Sequence, residues 1–120
     1  MTNAVLIFVA GGCGSVLRYL VGLVVPSALF PWATIGVNVA GSFAIGLFGA
    51  LAVRFGWSEG VRLALTVDLC GGFTTFSTFS REALDLASSG RWSAFSLYVA
   101  GSVILGIAAA ALGFICMRNV

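Results

Sequence analysis

The chain has 120 residues, of which 60% are apolar and only 8% charged, with a mean hydropathy of +1.11. A soluble domain of this size carries roughly 25% charged residues, and a bilayer core about 30 Å thick takes roughly 20 helical residues to cross. The composition therefore reads as a single all-α integral membrane domain, 1–120, with material for about four spans and no soluble domain.

The charge and cysteine content exclude further classes. A net charge of +2 from six Arg, with neither Lys nor His, is too small and too scattered for a nucleic-acid footprint. Cys13, Cys70 and Cys116 form no C-x-x-C pair, sit in apolar runs and read as buried small hydrophobes, with no disulfide or metal site behind them. Met1-Thr2-Asn3 lacks the positive n-region of a cleavable signal.

In chain order, the first span is expected over about 4–25, and Pro26 with Pro31 brackets a short turn after it. The second runs over 32–55, from Trp32 to Arg54 and Phe55. The third, about 61–87, stays apolar to Leu69 and then changes character, with a break expected near 71–80. The fourth covers 92–117, with Arg118 as its polar stop. Trp32, Trp57 and Trp92 all fall at span ends, where amphipathic rings favour the headgroup level. Arg54, Arg62 and Arg118 share one side and Arg91 takes the other, joined by Arg81 if the third span ends early. So weak a positive-inside bias suits both a protein that inserts in two orientations and one with little charge to spare.

The 16 glycines fall on stripes. Asn38, Gly41, Ser42, Gly46 and Gly49 share a face of the second span, as Gly11, Gly14, Ser15 and Arg18 do in the first. Tyr98, Ser102, Gly106 and Gly113 follow, with Ala109 between them, in the fourth. Small residues on one stripe let helices approach closely in lipid, and this explains most of them. Polar groups at membrane depth are costly and mark a path or a partner. They are Asn38, Arg18, Asp68 and the hydroxyl-rich run Gly71–Ser80. Asn38 has an interhelical hydrogen bond as its plainer reading, and Arg18 can snorkel to the interface. Backbone that leaves helical geometry at this depth must be buried in protein or line a watery cavity. A break exposes carbonyls that suit a cation and N–H groups that suit an anion. Phe76 and Phe79, three apart, share a face, and two positive ring edges beside a narrow path can greet an anion without a fixed charge. Ordinary packing is the plainer reading of either ring alone. The chain has no His and no close pair of carboxylates in a span, and Gly11-Gly12-Cys13-Gly14 fits no dinucleotide fingerprint. It does not read as an enzyme.

Three segments carry a resemblance: Gly11-Gly12-Cys13-Gly14-Ser15-Val16-Leu17-Arg18-Tyr19, Thr34-Ile35-Gly36-Val37-Asn38-Val39-Ala40-Gly41-Ser42-Phe43, and Cys70-Gly71-Gly72-Phe73-Thr74-Thr75-Phe76-Ser77-Thr78-Phe79-Ser80. In order, spacing and chain length they resemble the signatures of the Fluc family of bacterial fluoride channels. The resemblance implies four transmembrane helices with a break in the third, an antiparallel dual-topology dimer, two parallel pores, and passive export of cytoplasmic fluoride across the inner membrane, relieving its toxicity. It implies that Asn38 is a pore amide, that Phe76 and Phe79 are pore rings contributed across the dimer, and that Thr75, Ser77 and Thr78 form a hydroxyl-rich segment. Tyr98 and Ser102 match a polar track on the fourth helix. Gly71 and Thr74 match positions whose backbone carbonyls hold a structural sodium ion at the dimer interface, and Arg18 and Glu82 match charges near the pore mouths. The implied partners are fluoride, the lipid bilayer, and a second copy of the chain or a paralogous subunit. Two departures stand out: Gly106 where a second Ser or Thr is expected, and Asp68 where Gly is usual.

Two rivals make distinct expectations. A proton-coupled transporter of the small multidrug type needs a buried carboxylate, usually in the first helix, and only Asp68 is on offer. A non-transporting scaffold held by the glycine stripes predicts no ion flux and leaves the hydroxyl run unexplained.

Overall fold

A computed structural model describes residues 2–25 and 30–118. The turn expected at Pro26 lies outside them. Among the described residues three unbroken helices are long and apolar enough to cross a membrane: α1 (Thr2–Val24), α2 (Trp32–Phe55) and α6 (Trp92–Arg118). At 1.5 Å per residue each is at least about 33 Å long, enough for a bilayer core. Large apolar side chains face outward along all three, with Phe8 82%, Val53 83% and Leu97 70% exposed. A water-soluble fold would bury side chains like these; here lipid or a second chain has to cover them.

The expected third span departs from one helix in an informative way. It consists of α3 (Glu59–Leu63), a π-helical turn (Ala64–Leu69), α4 (Cys70–Phe73) and α5 (Phe76–Ser88). The first three run on without interruption, and the backbone turns extended only at Thr74 (ψ 163°) and Thr75 (φ −152°, ψ 123°). The break is therefore two residues wide instead of the ten expected, and Gly71, Gly72 and Ser77–Ser80 are helical. The reason is local capping. The Thr74 hydroxyl donates to the Cys70 carbonyl at 2.9 Å, closing α4, and the Thr75 hydroxyl accepts from the Thr78 N–H at 3.2 Å, opening α5. A hydroxyl at a helix start satisfies an orphan N–H donor, as Thr75 does, and one at a helix end can donate to the carbonyl four residues back, as Thr74 does. The span also starts two residues early, at Glu59, because the Ser58 hydroxyl accepts from the Val61 N–H.

Glycines set how closely the helices meet. A Cβ on Gly14 of α1 would collide with the Leu69 carbonyl and stand 2.7 Å from the Phe73 nitrogen, and one on Gly72 would collide with the Gly11 carbonyl. So α1 and α4 cross backbone against backbone. The same holds between α2 and α6, where Gly46 abuts the Ala110 carbonyl and Gly113 the Phe43 carbonyl. Gly56 ends α2 in the left-handed region (φ 61°), which a residue without Cβ adopts freely. Trp32 and Trp92 open α2 and α6 as exposed rings, and Trp57 lies just beyond α2 with its ring 6.2 Å from that of Phe48. Of the cysteines only Cys70 is buried; Cys13 and Cys116 are exposed on the outer faces of α1 and α6, correcting the expectation that all three pack inside.

Candidate functional site

The Asn38 side chain reaches across from α2 to the break. Its Oδ1 accepts the Thr75 N–H at 3.1 Å and its Nδ2 donates to the Thr75 carbonyl at 3.4 Å. A backbone N–H can only donate, so the amide is oriented with Oδ1 toward it. In a continued helix that N–H would have gone to the Gly71 carbonyl. Asn38 thus does what its plainer reading expects, joining two helices, and one Nδ2 proton remains for another acceptor.

That amide stands in the wall of a cleft of about 260 Å³ between α2, the break and α6, lined also by Thr75, Phe76, Phe79, Ser42 and Ser102. Among the described residues the Ser102 hydroxyl, buried there, has no hydrogen-bond partner, an expensive state for a polar group unless something comes to meet it. The two phenylalanine rings lie 5.8 Å apart, inclined at 41°. Their surroundings differ. Phe79 packs on the Tyr98 ring at 5.0 Å, within the small core of Ala83, Leu86 and Tyr98, whereas Phe76 is 80% exposed.

A larger cleft of about 460 Å³ lies across the break, between α1, α2 and α5, and Thr75 lines both. Arg18, Thr34, Thr78 and Glu82 line it, with Ser15 and Tyr19 from α1. The Arg18 Nε is buried with no hydrogen-bond partner among the described residues. The Glu82 carboxylate is held on one oxygen, Oε1, by the Thr34 hydroxyl at 2.6 Å and the Tyr98 hydroxyl at 3.1 Å. Tyr98 is fully buried, and its hydroxyl serves this carboxylate rather than the smaller cleft.

Some expected residues stand apart. Ser77 is exposed on α5 and lines neither cleft. Gly71 is exposed on a third recess of about 300 Å³, with Thr74, Gly41 and Thr66, and a Cβ there would meet nothing within 4 Å. Asp68 borders a slot of about 20 Å³ with Asn3, Leu6 and Gly60, away from both clefts. Asp68, the carboxylate on which the transporter rival relies, therefore lines neither cleft. Thr34, Ser42 and Ser15 were not picked out as site residues, though Thr34 and Ser42 stand four residues either side of Asn38 on one helix face.

A model of the CrcB-like protein, Camphor Resistance (CrcB) family matches residues 5–114. A protein of Phocaeicola vulgatus is 48% identical over 116 residues, 94% of this chain and 96% of its own length. One of Bacteroides fragilis is 44% identical over 119 residues, covering 94% of each chain. One of Novosphingobium aromaticivorans is 41% identical over 125 residues, 100% of this chain and 99% of its own. All three carry the name fluoride-specific ion channel FluC. With the family model matched over residues 5–114 and relatives 41–48% identical over nearly their whole length, the chain belongs to the CrcB-like family.

Proposed function

We propose that the chain is a subunit of a fluoride-selective channel of the bacterial inner membrane, through which cytoplasmic fluoride leaves passively. The observation that carries this reading is the smaller cleft: an amide proton, a buried hydroxyl unpartnered among the described residues and two phenylalanines around one space, with no cationic side chain among its lining residues. Fluoride is small and strongly hydrated, so a path for it must replace water with hydrogen-bond donors and still release the ion. Neutral donors and ring edges meet both demands, whereas an Arg in the narrow part would hold the anion. Arg18 lines the wider cleft instead, where a positive charge gathers anions without trapping them. A negative interior expels the ion, at about 2.3 kcal/mol per charge for 100 mV. The process makes and breaks no covalent bond. The names of the relatives support the same ion.

A pore needs a second chain, and we read it as another copy in antiparallel orientation. Phe76, a bulky ring 80% exposed beside the smaller cleft, is the side chain that such a copy would cover. The break suits a structural sodium ion between the copies. Asn38 takes the Thr75 N–H away from the Gly71 carbonyl, Gly71 is open to approach, and carbonyl oxygens are suitable ligands for a hard cation. Gly71 and Thr74 would hold it by those carbonyls, and it supplies cohesion alone. Efflux from liposomes containing only the purified chain tests the whole reading: fast fluoride release without chloride release is expected. Equal release of both halides, or of neither, sinks it.

A further inference from the structure

We propose that Ser42 is a hydrogen-bond donor to the ion in the smaller cleft, and that Gly106 is the opening that leaves its hydroxyl free for that role. The inference rests on the fluoride reading above. Helical Ser and Thr residues commonly satisfy their hydroxyls on the carbonyl four residues back. This chain does so within a helix at Thr66, which donates to Arg62 at 2.6 Å, and at helix ends at Thr74 and Ser89, which donate to Cys70 at 2.9 Å and to Asp85 at 2.7 Å. Ser42, in the middle of α2, makes no such bond to the Asn38 carbonyl among the described residues. Its Oγ instead faces α6 across the cleft, where a Cβ added to Gly106 would stand 3.5 Å from it.

Ser42, Gly106 and Ser102 all line the cleft that holds Asn38, Phe76 and Phe79. Ser102 precedes Gly106 by one helical turn, and Ser42 follows Asn38 by one. Two donors therefore succeed one another along the α2 wall, opposite the partnerless Ser102 hydroxyl on α6. An anion shedding water needs several donors in sequence, and a hydroxyl can turn to follow it. A side chain at 106 would fill the space into which the Ser42 hydroxyl turns. With Gly there, the α6 wall lacks a donor at this level and the α2 wall supplies it.

The test moves the hydroxyl from one wall to the other. Purified wild type, Ser42→Ala, and the double variant Ser42→Ala with Gly106→Ser are each reconstituted in liposomes, and initial fluoride efflux is normalised to the recovered folded protein. Ordinary van der Waals room at Gly106 lets the new side chain fit, the more so with the Ser42 oxygen gone. Ser42→Ala should slow efflux about tenfold, and the double variant should recover most of that loss. A packing role for Ser42 predicts no recovery from the second substitution. Wild-type efflux from Ser42→Ala, or a double variant as slow as the single one, overturns the proposal while the fluoride reading stands. No fluoride efflux from the wild type overturns both.

Discussion

Asn38 holds both polar groups of one backbone residue, accepting the Thr75 N–H and donating to the Thr75 carbonyl, although the two residues lie 37 apart in sequence. A helix break at membrane depth strands such groups, and each stranded one costs about 1–3 kcal/mol. One side chain therefore secures the break and also offers its remaining amide proton to the cleft.

Asn38→Asp separates these duties from simple loss of packing. The carboxylate still accepts the Thr75 N–H, but its second oxygen faces the Thr75 carbonyl and puts negative charge in the path of an anion. Fluoride efflux should be abolished. Asn38→Ala removes the clamp without the charge and should cost about 1–3 kcal/mol in thermal unfolding from detergent. Near-normal flux from the Asp variant would remove Asn38 from the path.

Two glycines of α1, two positions apart, should respond oppositely to a methyl group. A Cβ on Gly14 runs into the Leu69 carbonyl, whereas on Gly12 it meets nothing within 4 Å. Gly14→Ala should destabilise the fold by about 1–3 kcal/mol or more, as overpacking does. Gly12→Ala should be neutral, or stabilising by up to about 1 kcal/mol through helix propensity. Equal melting temperatures for the two variants would contradict the backbone contact between α1 and α4.

Gly71→Val distinguishes the protomer from the assembly. Within one chain a Cβ at Gly71 touches nothing, so secondary structure and expression should survive. If the exposed Gly71 face meets a second copy and a cation, the β-branched side chain should reduce dimer recovery on size exclusion at least several-fold, and with it flux. Wild-type dimer recovery would place the contact elsewhere.

How much of this was legible in the sequence differs residue by residue. The three unbroken helices were, because uninterrupted apolar length suffices to specify them. So was the existence of the break, from the Gly-Gly and hydroxyl run. Its narrowness was not, since Thr74 and Thr75 cap the flanking helices and a partner on α2 takes up the Thr75 backbone. The π-helical turn at Ala64–Leu69 had no signature in the periodicity. Asn38 stood out for its cost in lipid; Thr34, one turn before it, did not, because a buried Thr is unremarkable until its carboxylate partner on α5 is known. Position along the fourth helix puts Tyr98 on a polar track with Ser102, and only the packed structure connects its hydroxyl to Glu82.

The phenylalanines give the sharpest separation between stability and conduction. Their spacing alone treats them alike, but Phe76 is 80% exposed while Phe79 packs on the Tyr98 ring at 5.0 Å. Replacement by Ile keeps apolar bulk and removes the ring's positive edge. Phe76→Ile should change protomer stability little, losing only the 5.8 Å contact of an exposed ring with that of Phe79. Phe79→Ile should cost up to about 1.5 kcal/mol for the altered packing and about 0.5–1.5 kcal/mol for the lost aromatic pair. If the ring edges meet the ion, fluoride efflux should fall at least tenfold in both variants, out of proportion to either stability change. If the rings only fill space, flux should follow stability, untouched in Phe76→Ile and modestly reduced in Phe79→Ile. Efflux measured beside thermal unfolding for both variants decides the matter, and a fully conducting, fully stable Phe76→Ile protein would exclude an aromatic role at that position.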